Sequence, residues 1–194
     1  GKWIMITSVS NEQIKQIRKL RDRKDRQERG LCYIEGLRIV TEAVQQKAGI
    51  QTIIYAPELL SSAVGQEVVA QCRADQVPLL EVSAPVFQAL ALKDHPQGLA
   101  AVVRQAYGTL PEIVLQKGDL WVALDSVADP GNLRTIIRTA DAVGAGGVIL
   151  LDQSTDVYDP TALRASMGAI FTQKHVRASF AEFAAWVKAG NYGV

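Results

Sequence analysis

The segment Asp129-Pro130-Gly131-Asn132-Leu133-Arg134-Thr135-Ile136-Ile137-Arg138-Thr139-Ala140-Asp141 runs from a tight turn straight into a helical pattern, and it follows an apolar strand-like run, Leu120 to Leu124. Pro130 and Gly131 suit a turn, Asn132 can cap the exposed N–H groups of the next helix, and Leu133 to Val143 carries helical apolar spacing. A polar turn beyond the carboxyl end of a strand is where open α/β sheets gather their ligands. Asn132 and Arg138 are six residues apart. At about 100° per residue they differ by roughly 240° around a helix, so they share a side only if Asn132 occupies the non-helical cap.

The pattern continues as a second unit of the same kind. Gly144-Ala145-Gly146-Gly147 ends the helix, and Val148 to Leu151 reads as a buried parallel strand. Thr161 to Met167 fits a short helix and Ile170 to Val176 an extended piece. Ser179 with Glu182 forms a capping box for a helix whose Phe180, Phe183, Ala184 and Val187 fall on one side. Upstream, short strands alternate with helices: strands at Cys32 to Ile34, Thr52 to Ala56, Pro78 to Val82 and Leu99 to Val103, helices at Gly36 to Gln46, Ser62 to Gln76 and Ala84 to Leu92. Gly108, Pro111 and Gly118 punctuate Gln105 to Gly118, which predicts a first domain over 1–106, a linker over 107–118 and a second domain over 119–194.

Ser10 and Gln13 predict a capping box for one helix running toward Arg29, with Ile14 and Ile17 on its apolar side. Its other side is basic. Between Lys15 and Arg29 eight basic residues face three acidic ones, a local charge of +5 in a chain whose net charge is +1. Arg18, Arg21, Arg23, Lys24, Arg26 and Arg29 could neutralise phosphates, or they could form a solvated face laced with ion pairs. With 48% hydrophobic and 21% charged residues the chain can bury a core, which excludes disordered and collagen-like classes. No apolar run approaches the roughly 20 residues of a membrane span. That predicts a soluble, cytoplasmic protein. Cys32 and Cys72 lack metal spacing, as do His95 and His175, so reduced structural thiols and no metal site are expected. No G-x-G-x-x-G follows the Leu120 strand, and this weighs against a dinucleotide-dependent oxidoreductase.

Three ordered stretches carry a family resemblance: Arg26 to Glu42 with Pro96-Gln97-Gly98-Leu99-Ala100-Ala101-Val102-Val103, then Asp129 to Ala140, then Arg164-Ala165-Ser166-Met167-Gly168-Ala169-Ile170-Phe171. Together they resemble the SpoU (TrmH-like) family of RNA ribose 2′-O-methyltransferases. The resemblance implies an N-terminal, ribosomal-protein-like α/β domain that binds RNA substrate, followed by a Rossmann-like α/β-knot (SPOUT) methyltransferase domain. It implies S-adenosylmethionine as cofactor, structured ribosomal or transfer RNA as partner, and a homodimer. The family's motif asparagine and arginine fall on Asn132 and Arg138. The arginine is implicated in activating the 2′-hydroxyl, while the general base stays unassigned and Asn132 reads more as a residue that shapes the turn and helix start than as one that touches the reaction. Without the resemblance, Arg138 reads as a surface arginine paired with Asp141 or Asp125.

Arg134 stands where the family often has glycine, and Arg38, Arg134 and Arg164 join the basic run as candidate RNA contacts. Two later family motifs, which build the knot, much of the dimer contact and the cofactor pocket, do not occur before Val194. The expectation is therefore a partial catalytic domain without assigned cofactor-binding residues and with exposed sheet edges that favour association. A noncatalytic RNA-binding protein is the alternative.

Overall fold

The computed structural model describes residues 4–152, 154 and 156–194. Two compact units emerge: one runs to Gln105 and includes Tyr158–Pro160, and the other holds Ala106–Val157 and Thr161–Val194.

In the first unit the elements are α1 (Glu12–Arg18), α2 (Arg23–Arg29), β1 (Leu31–Glu35), α3 (Leu37–Gln45), β2 (Ile50–Tyr55), α4 (Ala63–Ala74), β3 (Leu79–Glu81), α5 (Ala84–Leu90) and β4 (Leu99–Arg104). The sheet order is β1-β4-β2-β3, with β4 antiparallel to both neighbours and β2 parallel to β3. β4 is central and apolar from Leu99 to Val103, so both of its faces are covered. On one side Ile14, Leu20, Phe87 and Leu90 pack with Tyr33, Ile54 and Val102. Each such side chain contributes about 1.5–3 kcal/mol on burial.

The basic segment is not one helix. Asn11, rather than Ser10, caps α1 by accepting from the Gln13 and Ile14 N–H groups. A single 3-10 turn follows at Lys19–Arg21, and Asp22 caps α2 through the Lys24 N–H at 2.8 Å. The interruption turns Leu20 and Arg26 into the interior, where they are 0% and 2% exposed.

The second unit contains β5 (Trp121–Asp125), α6 (Pro130–Ala142), β6 (Gly147–Leu151), α7 (Pro160–Ser166), β7 (Lys174–Ala178) and α8 (Phe180–Gly190). Its strands are parallel in the order β5-β6-β7, in register from Trp121 opposite Gly147 and Gly147 opposite Lys174. All five residues of β6 are buried, as a central parallel strand requires. Gly147 has no substitute there: a Cβ would stand 2.5 Å from the Lys174 carbonyl oxygen and from the Trp121 ring.

The expected linker 107–118 belongs to this second unit. Gly108 donates its N–H to the His175 carbonyl at 2.9 Å, extending the sheet beside β7. Leu110 and Ile113 are buried against Ile149, Leu151 and Val176. Apolar side chains at these positions outweigh the glycine and proline punctuation around them. The extended piece expected over Ile170 to Val176 is a 3-10 turn at Ala169–Phe171 followed by β7, which starts four residues later than expected and ends two later. Ser179 does cap α8, accepting from the Glu182 N–H at 3.0 Å.

Candidate active-site helix

β5 delivers the chain to α6 through Ser126–Asp129. Ser126 adopts a left-handed backbone, φ 56°, and donates its hydroxyl to Asp125 Oδ1 at 3.1 Å. The cap of α6 is Asp129: its carboxylate accepts from the Asn132 N–H at 2.8 Å. Pro130 occupies the first helical position, where its missing N–H costs nothing. A Cβ on Gly131 would lie 3.0 Å from Asp129 Oδ1, so glycine leaves the capping carboxylate its room.

This corrects the expected role of Asn132, which is the third residue of the helix and not its cap. Being helical, Asn132 and Arg138 point away from one another around the axis, and they do not form one side. Both are exposed. The residue that shares a stripe with Arg138 is Arg134, one turn earlier at i−4. Leu133, Ile137 and Ala140 are the buried face and fix how the helix is rotated on the sheet.

Arg134 is half-buried and reaches Met167 Sδ with Nη2 at 3.7 Å. Met167 has a left-handed backbone, φ 54°, and stands directly after α7, where Arg164 is exposed and Ser166 is buried with its hydroxyl donated to the Leu163 carbonyl at 3.1 Å. The third family-like stretch is thereby brought against the second. Among the described residues Arg138 makes no hydrogen bond or ion pair, and neither Asp141 nor Asp125 engages it. A face with two arginines one turn apart repels itself slightly and attracts anions.

The carboxyl end of β5 is also tied down from the following crossover, since Ser154 donates its hydroxyl to the Leu124 carbonyl at 2.8 Å in a buried position. Asp152, past the end of β6, accepts the Phe180 N–H at 2.9 Å and so holds the start of α8. Asp125, Ser126, Ala128, Asp129 and Asp152 are all exposed. Among the described residues they form a rim along the carboxyl ends of the strands.

The basic segment of the first unit divides into two groups. Arg26 donates Nη1 to the Leu20 and Arg21 carbonyls at 3.0 and 2.8 Å and holds Asp159 at 3.5 Å. Arg29 donates to the Gln16 carbonyl at 2.6 Å. Arg21 donates to the Ala89, Leu90 and Ala91 carbonyls, closing the carboxyl end of α5. These three guanidiniums fasten helix ends. Arg18, Arg23 and Lys24 remain at the surface, with Lys24 in a loose pair with Glu28 at 3.9 Å. Arg38 is exposed at the second position of α3. No group of three or more potential metal ligands occurs among the described residues, and Cys32 and Cys72 are buried and not joined by a disulfide.

Residues 11–101 match the MRM3-like substrate binding domain and residues 119–194 match the SpoU rRNA Methylase family. The 23S rRNA (uridine(2479)-2'-O)-methyltransferase of Streptomyces viridochromogenes is 32% identical over 158 residues, covering 80% of this chain and 54% of its own length. The 23S rRNA (guanosine(2553)-2'-O)-methyltransferase RlmP of Bacillus subtilis is 31% identical, covering 95% of this chain and 69% of its own length. The crystal structure of an AdoMet-bound rRNA methyltransferase from Sinorhizobium meliloti superposes with a TM-score of 0.82 at 38% identity, covering 96% of this chain and 69% of that one. The chain thus spans between about half and two thirds of the length of these relatives. With both of its units matched in order, and its arginine-bearing helix α6 inside the second match, this chain belongs to the SpoU rRNA methylase family.

Proposed function

We propose that the protein methylates a ribose 2′-hydroxyl of ribosomal RNA, with S-adenosylmethionine as methyl donor. The observation that carries this reading is Arg138: an exposed guanidinium without a protein partner among the described residues, on a helix that starts beyond the carboxyl end of a parallel strand. The relatives named above are 2′-O-methyltransferases of 23S rRNA, which favours ribosomal over transfer RNA.

The sulfonium of the cofactor supplies an electrophilic methyl group. The chain's own contribution is to hold the attacking ribose. Arg138 donates hydrogen bonds to the 2′-oxygen as negative charge develops on it, and a guanidinium keeps its positive charge throughout. Arg134 lies on the same stripe and takes an adjacent phosphate, which fixes the ribose against rotation. Because Arg134 is braced by Met167, it is the better ordered of the two before RNA arrives. Asn132 contributes its backbone N–H to the Asp129 cap of α6. Arg18, Arg23, Lys24, Arg38 and Arg164 supply outlying phosphate contacts.

A homodimer and a cytoplasmic setting belong to the same reading. α8 buries none of its residues, leaving Phe180 55% exposed, and among the described residues β5 is an edge strand, so a second copy has apolar surface to cover. Cysteines not joined by a disulfide suit a reducing compartment. The test is incubation of the protein with labelled S-adenosylmethionine and 23S rRNA, followed by alkaline hydrolysis. A labelled, hydrolysis-resistant dinucleotide is expected, because a methylated 2′-oxygen cannot attack its phosphate. Saturable RNA binding without transferred label would instead establish the noncatalytic alternative.

A further inference from the structure

We infer that the crossover from β6 to α7 is a strap that positions Arg134, and that Asp159 is the residue that seats it. The inference deepens the reading of Arg134 as the phosphate-holding partner of Arg138 and rests on it. After Leu151 the chain leaves the sheet and runs to α7, and on the way Ser154, Asp156, Val157 and Tyr158 are 5%, 7%, 2% and 1% exposed. Connections ordinarily run over the surface, because a buried one must find a partner for each polar group it carries. A crossover this deeply buried, with a carboxylate inside it, is held at defined points.

Ser154, Asp156 and Asp159 each fasten it. The Ser154 hydroxyl donates to the Leu124 carbonyl at 2.8 Å, at the end of β5. The Tyr107 hydroxyl donates to Asp156 Oδ1 at 3.4 Å. Tyr107 is itself fixed against β7: its ring stands edge-on to His175 with centroids 5.2 Å apart, and the Arg177 guanidinium lies 5.5 Å over it. The chain then belongs to the first unit for Tyr158–Pro160 and rejoins the second at Thr161. Within those three residues Asp159 Oδ2 lies 3.5 Å from Arg26 Nη2. Arg26 is a fixed anchor, since Nη1 of the same guanidinium donates to the Leu20 and Arg21 carbonyls.

The seat of Asp159 carries through to Arg134. Pro160 opens α7 with a fixed φ, and its seven residues, at about 1.5 Å each, make a rod of roughly 10 Å. Ala162 and Leu163, each 1% exposed, set how that rod is rolled. Its end is as well defined as its start: the Ser166 hydroxyl and the Gly168 N–H both donate to the Leu163 carbonyl, at 3.1 and 3.4 Å, and Met167 and Gly168 are left-handed at φ 54° and 77°. Met167 therefore leaves the helix in one direction, and its Sδ accepts from Arg134 Nη2 at 3.7 Å. A thioether is a weak acceptor, so it directs the guanidinium without competing with a phosphate for it. Displacing Asp159 shifts the rod, then Met167, then Arg134, and a reacting geometry loses rate when its support moves by about 1 Å. Asp159 is in this sense a positioning residue, acting through Arg134 and not on the substrate.

The chain has two methionines, Met5 and Met167, so NMR of the full chain with isotopically labelled methionine methyl groups gives two resonances, which Met5→Leu assigns. Asp159→Asn removes the charge facing Arg26 and keeps a side chain that starts a helix equally well. It is expected to shift the Met167 resonance and leave that of Met5 in place. In single-turnover transfer to saturating 23S rRNA it should lower the rate about tenfold at unchanged RNA affinity, and by less than about twofold in an Arg134→Ala background. Tyr107→Phe, which deletes one hydroxyl from the other half of the strap, should act in the same direction and decides in its place if Asp159→Asn loses the native far-UV dichroism. A Met167 resonance that does not move, a rate loss matched by weaker RNA binding, or the full loss repeated in the Arg134→Ala background overturns the strap. A shifted Met167 resonance in a protein that transfers no methyl group sustains the strap and refutes the RNA methyltransferase reading.

Discussion

Arg26→Ala should unfold the first unit more readily without acting through RNA contact at all. Arg26 is 2% exposed, and its guanidinium supplies two carbonyl hydrogen bonds at 3.0 and 2.8 Å. Hydrogen bonds from a charged donor are worth about 1.5–3 kcal/mol each, and losing the donor leaves the Leu20 carbonyl without it in a buried position. The stem adds roughly 0.8 kcal/mol for each buried methylene removed. The ion pair with Asp159 is discounted, because that partner is 39% exposed. Allowing for partial relaxation, a loss of about 3–4 kcal/mol follows. For a unit of this size that lowers Tm by about 10 °C or more. Urea denaturation followed by tryptophan-independent far-UV dichroism measures it, with Arg23→Ala as the surface comparison. A change below about 1 kcal/mol for Arg26→Ala, or an equal change for Arg23→Ala, would refute the assignment of Arg26 to the scaffold.

Other consequences concern each unit separately. Asp129→Ala should cost about 1 kcal/mol by removing the cap of α6, and differential scanning calorimetry reads the shift. Gly147→Ala places a methyl 2.5 Å from the Lys174 carbonyl oxygen, so a loss of roughly 1–3 kcal/mol is expected and a neutral result would contradict the close packing of β6 on β7. Burial holds the His175 imidazole below its ordinary pKa of 6.5, with the Gln173 carbonyl opposing in part. The unfolded chain therefore takes up a proton first as pH falls below 6.5, and stability declines from there downward. His175→Gln should flatten that decline in a pH series of urea midpoints. Burial, with Asp75 adding to it, pushes the Cys72 thiol up, so alkylation of Cys72 should await unfolding. Neutralising Arg23 and Lys24 together should reduce the salt dependence of RNA binding by a slope of about one to two.

Much of the fold was legible because most strands are short apolar runs with turn residues at both ends. β4 and β6, buried from end to end, are the clearest cases. The sequence points to Asn132 as the cap of α6 because Pro130-Gly131 resembles a turn. Yet a proline preceded by an aspartate is equally the signature of a first helical residue and its cap, and the Asp129 contact decides for the latter. Residues 107–118 looked like a linker by composition, whereas the burial of Leu110 and Ile113 depends on strands distant in sequence. The same limit applies to Arg21, Arg26 and Arg29: charge counting registers them as a basic face, and only tertiary contacts with backbone carbonyls reveal helix fasteners. The pairing of Arg134 with Arg138 follows from helical geometry once the cap is placed correctly, while the bracing of Arg134 by Met167 joins segments 33 residues apart.

The account turns on Arg138 acting in the transition state and not in RNA docking. Single-turnover methyl transfer to 23S rRNA should be compared for the native protein, Arg138→Ala and Arg138→Lys, together with RNA affinity. The account predicts a rate lower by about 10²–10³ for Arg138→Ala at nearly constant affinity, with partial recovery in Arg138→Lys. An unchanged rate, or a loss wholly explained by weaker RNA binding, would contradict it.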